Sequence, residues 1–171
     1  MGNILHCVVN AEIKVISLSH VPFDFMMALT REGVASQQKG TKAMINKVVI
    51  HSCQGDITKG ETSDFFPNKD VFHLKKENAG ALEKIHIKDL KAVFFVKDFT
   101  GNAAYTEKND VERVGLGRKI KVQFKDSETL TGYTQGYAPN RPGFFVVPCD
   151  PDSNNLRVFV VAAATAKVEF V

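Results

Sequence analysis

Two loops of nearly the same sequence contain the side chains in this chain that are best placed to bind a ligand. "FFPNK" spans residues 65–69 and "YAPNR" spans residues 137–141. In each loop an aromatic residue precedes a Pro-Asn pair and a cation, and an arginine guanidinium can donate two parallel hydrogen bonds to an anion. We therefore predict a site for a small anionic ligand or a protein partner. The residues predicted to form it are Phe65, Asn68, Lys69, Tyr137, Asn140 and Arg141.

The same loops also have a purely structural interpretation. Proline sets the backbone for a turn, asparagine often completes the turn, and an aromatic ring can fill the core beneath it. Because both loops need the same turn, their repetition supports this interpretation as well as the functional one. The turn explains the prolines and asparagines more readily, whereas Lys69 and Arg141 are explained equally well by either interpretation.

Two histidines are the weak metal candidates of the sequence. If the strands on either side of a turn at residues 79–80 pair, His73 lies opposite His86. Opposed side chains on one face of a sheet approach within about 5 Å between Cβ atoms. The corresponding positions of a second, similar segment hold Phe145 and Phe159, so packing explains the arrangement better than a metal does. Two histidines without a third ligand do not define a zinc site, and we predict no bound metal.

The sequence lacks the residue patterns that the common catalytic sites require. It has no Gly-x-Ser-x-Gly pattern and no phosphate-binding glycine loop. No histidine and carboxylate are arranged in the sequence to activate Cys53 or Cys149 as a nucleophile. We therefore predict that the protein is not an enzyme and that it needs no cofactor.

Composition and charge are those of an ordinary globular protein. The 171 residues include 22 basic and 19 acidic side chains, a net charge of +3, and no segment concentrates the basic ones. Three widely spaced cysteines do not form a disulfide framework, which favours a cytoplasmic location. Polar residues interrupt the apolar N-terminal residues too early for a signal peptide or a membrane span. We predict no membrane partner, and the sequence does not indicate an oligomeric state.

Residues 47–74 align with residues 119–146 without a gap, which indicates that the chain contains one unit twice. The identical pairs are Lys47 and Lys119, Gly60 and Gly132, Thr62 and Thr134, Pro67 and Pro139, Asn68 and Asn140, and Phe72 and Phe144. The similarity resumes where "KIHI" matches "RVFV", with two extra residues placed near "AAATA". We predict a tandem duplication with units at residues 46–97 and 119–171, joined by a connector at residues 98–118.

Each predicted unit consists of about five short β-strands. "KVVIHS" and "KIKVQF" alternate apolar and polar residues, as half-buried strands do. Gly60 and Gly132 fall inside strands, where glycine permits the sharp bends that curl a small sheet. Strands this close in sequence must be mainly antiparallel, and closure would remove their exposed edges. We predict an all-β protein of two small, five-stranded, closed or nearly closed barrels.

Residues 1–45 have no counterpart in either unit. "HVPFDFMMALTREG" has the pattern of a short amphipathic helix, and "VASQQKGTKA" has that of a flexible join. We predict an N-terminal extension over residues 1–45 that is partly helical or disordered. Met44 directly precedes the first repeated strand, so translation from Met44, with residues 1–43 as an upstream extension, is a further hypothesis.

The stretches "KVVIHSCQGDITKGETSDFFPNK" and "GYTQGYAPNRPGFFVVPCDPDSNNLRVFVV" resemble a bacterial domain family of uncharacterised function. The resemblance covers about residues 46–171. Members of that family also occur in proteins carrying PilZ domains, which implies a binding or adaptor role in bacterial signalling or regulation.

In outline each unit also resembles an Sm-like small barrel, because an aromatic residue follows the strand glycine by five positions, as Phe65 follows Gly60. The Asp and Asn of the Sm family's RNA pocket are replaced by Phe66 and Asp70 in the first unit. This resemblance implies RNA binding as the alternative function, ranked below the first. The RNA-binding face would consist of Lys47, Lys69, Lys119 and Arg141 with Phe65 and Tyr137.

Overall fold

The computed structural model describes residues 44–102 and 104–171 and, nearer the N-terminus, the backbone of two strands. The strands β1 (Ile4–Val9) and β2 (Glu12–Ser17) pair antiparallel, with Ile4 opposite Ser17. The chain divides into two units, residues 1–41 and 42–171. The prediction for residues 1–45 missed this hairpin, although "ILHCVV" and "EIKVIS" are two apolar runs separated by two residues. The predicted helix at residues 20–33 and the predicted flexible join lie outside the described residues.

Residues 44–171 are all-β, with ten strands in one antiparallel sheet and two short 3-10 turns. The first half contains β3 (Asn46–Ser52), β4 (Ile57–Thr62), β5 (Val71–Lys76), β6 (Leu82–His86) and β7 (Leu90–Val96). The second half contains β8 (Arg118–Phe124), β9 (Thr129–Thr134), β10 (Gly143–Pro148), β11 (Asn155–Val161) and β12 (Thr165–Phe170). A 3-10 turn precedes the last strand of each half, at Ile87–Asp89 and at Ala162–Ala164.

The strands of the two halves follow the same order in the sheet. The full order is β12-β8-β9-β10-β11-β7-β3-β4-β5-β6, so each half places its fifth strand first, followed by its first to fourth strands. The pairing registers also agree, since Val48 lies opposite Gly60 and Ile120 lies opposite Gly132. In each half, the pairing of the fifth strand with the first skips one residue of the fifth strand, which has no partner in the first. The skipped residue is Lys91 in β7 and Ala166 in β12.

The all-β, antiparallel prediction is confirmed, but the sheet is open where the sequence predicted two barrels. The first half's fifth strand, β7, pairs with β11 of the second half and not with β6 of its own half. This pairing gives hydrogen-bond partners to the backbone N–H and C=O groups at the edges of β7 and β11. Neither half therefore has to close into a barrel to pair these groups. It leaves two free edges in the ten-stranded sheet, β6 and β12.

The strand glycines predicted to permit bends lie where an added side chain would collide with the neighbouring strand. A Cβ on Gly132 would lie 2.3 Å from the carbonyl oxygen of Val147, and one on Gly60 would lie 2.5 Å from that of Lys75. Real Cβ atoms do not approach a backbone oxygen this closely, so the pairing of the second strand with the third requires glycine in both halves.

One hydrophobic core runs through both halves, and an ion pair between a buried lysine and two exposed carboxylates also joins them. Lys91, which is 7% exposed, donates hydrogen bonds to the carboxylates of Asp126 and Glu128 in the second half. Its ammonium group also lies 4.6 Å from the ring centre of Phe124. Burial alone would lower the pKa of Lys91, but the two hydrogen bonds outweigh burial and raise that pKa.

The predicted connector is anchored on the turn between β10 and β11. The hydroxyl of Tyr105 donates to Oδ2 of Asp150 at 2.5 Å, and the backbone N–H of Lys108 donates to the same oxygen at 3.0 Å. The hydrogen bond from Tyr105 is the main cause that lowers the pKa of Asp150 to about 2, and it raises the pKa of Tyr105 to about 12. The connector is therefore tied to the second half by a charged hydrogen-bond acceptor that is only 2% exposed.

Candidate anion-binding site

The two Pro-Asn loops form the same turn. The backbone N–H of Lys69 donates to the carbonyl of Phe66, and that of Arg141 donates to the carbonyl of Ala138, both at 3.1 Å. Each bond closes a four-residue β-turn with proline at its second position and asparagine at its third, because proline pre-sets the φ angle that this position needs. The turn accounts for the Pro-Asn pairs, and it places a cation at the last position of each turn.

The aromatic residues of the loops are half-buried and pack against the hydrophobic core. Phe65 packs edge-on against four phenylalanine rings, with ring centres 5.1–6.2 Å apart. Two of these rings, Phe145 and Phe159, come from the second half. Among the described residues, Tyr137 packs against two rings, those of Phe144 and Phe170. Phe65 therefore helps to join the halves, whereas Tyr137 occupies the equivalent place near the free edge strand β12.

Two cavities meet at the second loop. The first has a volume of about 730 Å³ and is lined by Pro67 and Asn68 from the first loop and by apolar residues of the second half, including Phe144. The second has a volume of about 820 Å³ and lies between the first half's 3-10 turn and the second loop. Arg141 and Pro142 line both cavities, so the two spaces are adjacent at the Arg141 side chain.

The second cavity has an excess of positive charge. Lys69, Lys88 and Arg141 line it together with one carboxylate, Asp70, so its cations exceed its anions by two. The ammonium group of Lys69 lies 4.5 Å from the ring centre of Phe66. Among the described residues, none forms a hydrogen bond or ion pair with the exposed guanidinium of Arg141. An unpaired guanidinium in a positive cavity can donate two hydrogen bonds to an anion.

A family model matches residues 44–171 of the chain, and its description is "Family of unknown function (DUF6982)". The chain belongs to the DUF6982 family. The match spans all ten strands of the sheet and both loops. No curated protein and no solved structure matches the chain. Within the described residues, both helical segments are three-residue 3-10 turns, and no helix has the length and apolar character needed to cross a membrane.

In this DUF6982 protein the fold brings together four of the six predicted site residues. Asn68 lines the first cavity, Lys69 and Asn140 line the second, and Arg141 lines both. Sequence reasoning missed Lys88 as a further cation of the site. No linear pattern could have found it, because Lys88 comes close to Arg141 only through the pairing of β7 with β11.

The two histidines are not opposite each other, and this prediction was wrong. His73 lies opposite Lys84, and His86 lies opposite Val71. The hairpin turn is centred one residue earlier than the sequence suggested, which shifts every partner by two positions. The predicted pairing in the second half is confirmed, since Phe145 lies opposite Phe159.

His73 instead hydrogen-bonds to its own half. Its Nδ1 lies 2.7 Å from Oδ2 of Asp64, and its backbone N–H donates to Oδ1 of the same residue at 2.9 Å. Although burial opposes the shift, these bonds from His73 lower the pKa of Asp64. No group of three histidine, cysteine or acidic side chains that could hold a metal occurs in the described part of the chain.

The face predicted for RNA binding is not assembled. The rings of Phe65 and Tyr137 are half-buried and pack edge-on against phenylalanine rings, which reduces the surface that they offer for stacking on bases. The ammonium group of Lys119 is engaged by the carboxylate of Glu112 at 3.0 Å. The geometry therefore gives RNA binding no support at the predicted positions.

Proposed function

We propose that residues 44–171 form a non-catalytic binding module for a small organic anion, held where the two cavities meet. The guanidinium of Arg141 receives the anionic group, and the ammonium groups of Lys69 and Lys88 add attraction from the second cavity. The apolar part of the ligand occupies the first cavity, beside Phe144. The observation that carries the proposal is the Arg141 guanidinium, which lines both cavities and has no partner among the described residues.

Binding without catalysis is supported by the kind of groups that line the cavities. Asp70 and His86 are the carboxylate and the imidazole that line the second cavity, and neither forms a side-chain hydrogen bond to another described residue of the cavities. A general base is normally held in hydrogen-bond contact with the group it activates. Cavities of this size, mostly apolar with a few polar groups, are typical of ligand sites.

The duplication and the signalling role belong to the same proposal. We propose that the two halves arose from one unit, which is supported by their common strand order, their common registers and the skipped residue in each fifth strand. The adaptor role in bacterial signalling, in proteins that also carry PilZ domains, is what the family resemblance implies. In that role, the anion would alter how the module contacts a protein partner.

The test is a comparison of three small probes by isothermal titration calorimetry: inorganic phosphate, phenyl phosphate and phenol. Phenyl phosphate should bind more tightly than either other probe, because it places an anion at Arg141 and a ring in the first cavity. Hydrogen bonds to a charged group contribute about 1.5–3 kcal/mol, so Arg141→Gln should weaken binding about 10- to 100-fold.

Lys69→Gln should weaken the binding of phenyl phosphate less than Arg141→Gln does. The ammonium group of Lys69 attracts the anion across the cavity, whereas the guanidinium of Arg141 donates hydrogen bonds to it. Lys125→Gln is the matched control, because this exposed lysine lies on the turn after β8 and lines neither cavity. The proposal fails if neither anionic probe binds, or if Arg141→Gln and Lys125→Gln have equal effects.

A further inference from the structure

The two free edges of the ten-stranded sheet match the two strands that form its central joint. The joint pairs the fourth strand of the second half, β11, with the fifth strand of the first half, β7. The free edges are the fourth strand of the first half, β6, and the fifth strand of the second half, β12. Each chain therefore carries, with one edge free, a counterpart of each strand that the joint uses.

We propose that β6 of one chain pairs antiparallel with β12 of a second copy, so that the protein assembles head to tail. The second copy repeats the joint that already holds the two halves together within one chain. Because the two edges are different surfaces, the contact is heterologous, and repeating it gives a closed ring or a filament, not a two-fold dimer.

The central joint predicts the register of this contact. In the joint, Arg157 lies opposite Phe95 and Phe159 lies opposite Val93. The matching registers of the two halves make each residue of β6 equivalent to the residue 75 positions later in β11. They likewise make each residue of β7 equivalent to the residue 75 positions later in β12. Transferring the joint therefore places Leu82 opposite Phe170 and Lys84 opposite Val168.

The backbone hydrogen bonds of the edge strands agree with this register. The N–H of Ile87 donates inward to the carbonyl of Asp70, and the N–H of Val171 donates inward to that of Lys119. Since successive N–H groups of a strand point in opposite directions, the outward-pointing ones belong to Leu82 and Lys84 in β6, and to Val168 and Phe170 in β12. These are the residues that the transferred register places opposite one another.

The side chains at the two edges also favour pairing. Leu82 is 69% exposed and Phe170 is 41% exposed, and the transferred register places these two apolar residues together. An exposed strand edge with apolar side chains is a template for another strand. In the central joint the guanidinium of Arg157 lies 4.5 Å from the ring centre of Phe95. At the new contact, the counterpart of Phe95 is Phe170 and the counterpart of Arg157 is Leu82, so an apolar contact would replace the cation–ring contact.

The surroundings of Tyr137 indicate where side chains of the second copy would pack. Its equivalent in the first half, Phe65, contacts two rings of its own half and two rings across the joint, Phe145 and Phe159. Within the described part of the chain, Tyr137 contacts two rings, both from its own half. In the head-to-tail contact the structural counterparts of Phe145 and Phe159 are His73 and Lys84 of the second copy, which would lie against Tyr137.

The first test measures the mass of the full chain by analytical ultracentrifugation at increasing concentration. The expected result is a species of at least twice the 18.9 kDa of one chain. Lys84→Pro removes an outward N–H from the edge strand and should return the protein to the mass of a single chain, whereas Lys84→Ala keeps that N–H and should still assemble. A single-chain mass for the unmodified protein at all concentrations would overturn the proposal.

The second test is disulfide cross-linking, which does not depend on the folding of the proline variant. In a Cys7→Ser, Cys53→Ser background, Leu82→Cys and Phe170→Cys should cross-link when the two variants are mixed, and neither should cross-link with itself. Residues opposite each other in a sheet have the Cα separation that a disulfide needs. Thr129→Cys, away from both edges, is the control partner for Leu82→Cys. Cross-linking of each variant with itself, or equal cross-linking to Thr129→Cys, would contradict the head-to-tail register.

Discussion

Phe65 and Tyr137 occupy equivalent places in the two halves, and they should contribute unequally to stability. In residues 44–102 and 104–171, Phe65 has four aromatic neighbours and Tyr137 has two. Replacement of either residue by leucine keeps most of the buried apolar area and removes the edge-to-face contacts. Such pairs contribute about 0.5–1.5 kcal/mol each beyond the area they bury.

Because both rings are only half-buried, the lower end of that range applies to each pair. Four pairs at about 0.5 kcal/mol each predict that Phe65→Leu lowers the free energy of unfolding by about 2 kcal/mol, and two pairs predict about 1 kcal/mol for Tyr137→Leu. The difference between the variants matters more than either value, because it measures the two contacts that Phe65 makes across the joint.

Urea unfolding followed by far-UV circular dichroism measures both changes, since the chain has no tryptophan for a fluorescence signal. Measurement at several protein concentrations separates any contribution of association from that of the fold. A double-mutant cycle with Phe145→Leu should show coupling to Phe65 and none to Tyr137. Equal losses for the two leucine variants, or coupling of Phe145 to Tyr137, would refute the idea that Phe65 joins the halves.

Two further predictions follow from the backbone and the connector. Gly132→Ala should destabilise the sheet strongly, because its Cβ would lie 2.3 Å from the carbonyl oxygen of Val147, whereas Gly136→Ala, with its nearest atom at 4.0 Å, should have little effect on the thermal midpoint. The folded-state pKa of Asp150, about 2, lies below its ordinary value of 3.8. Its stabilisation should therefore be complete above about pH 4 and should be lost as the pH falls from there towards 2. Tyr105→Phe should reduce that acid-dependent loss in a pH series of melting curves, and an unchanged loss would show that Tyr105 does not stabilise the carboxylate.

The strand pairing within each half follows from features that the sequence displays. The ungapped alignment of residues 47–74 with residues 119–146 requires equal registers for the first three strands, and the structure has them. Glycine at positions 60 and 132 follows from the close approach of the third strand. These features are local, so a single sequence can predict them.

The wrong strand partner predicted for His73 arose in a turn that the alignment did not constrain. The two halves differ in length at the turn before the fourth strand, where Gly80 adopts a φ of +62°. The sequence comparison placed the extra residues after that strand. Because strand partners depend on the centre of the hairpin turn, this small difference was enough to move His73 from His86 to Lys84.

The pairing of β7 with β11 could not be predicted, and the candidate site depends on it. Every strand edge presents the same backbone donors and acceptors, so the choice between closing a barrel and joining the other half is made by the packing of many side chains. The second cavity takes Lys88 from one half and Arg141 from the other. A site formed by such a joint has no signature in either half alone.

The skipped residue of each fifth strand differs between the halves, and this difference makes their order along the chain matter. Lys91 occupies that position at the central joint and reaches Asp126 and Glu128, whereas Ala166 occupies it at the outer edge. A circularly permuted gene that encoded the second half before the first would put alanine at the centre and would leave Lys91 on an outer strand, away from the carboxylates of its own chain. Although the two halves share a topology, they are therefore not interchangeable parts.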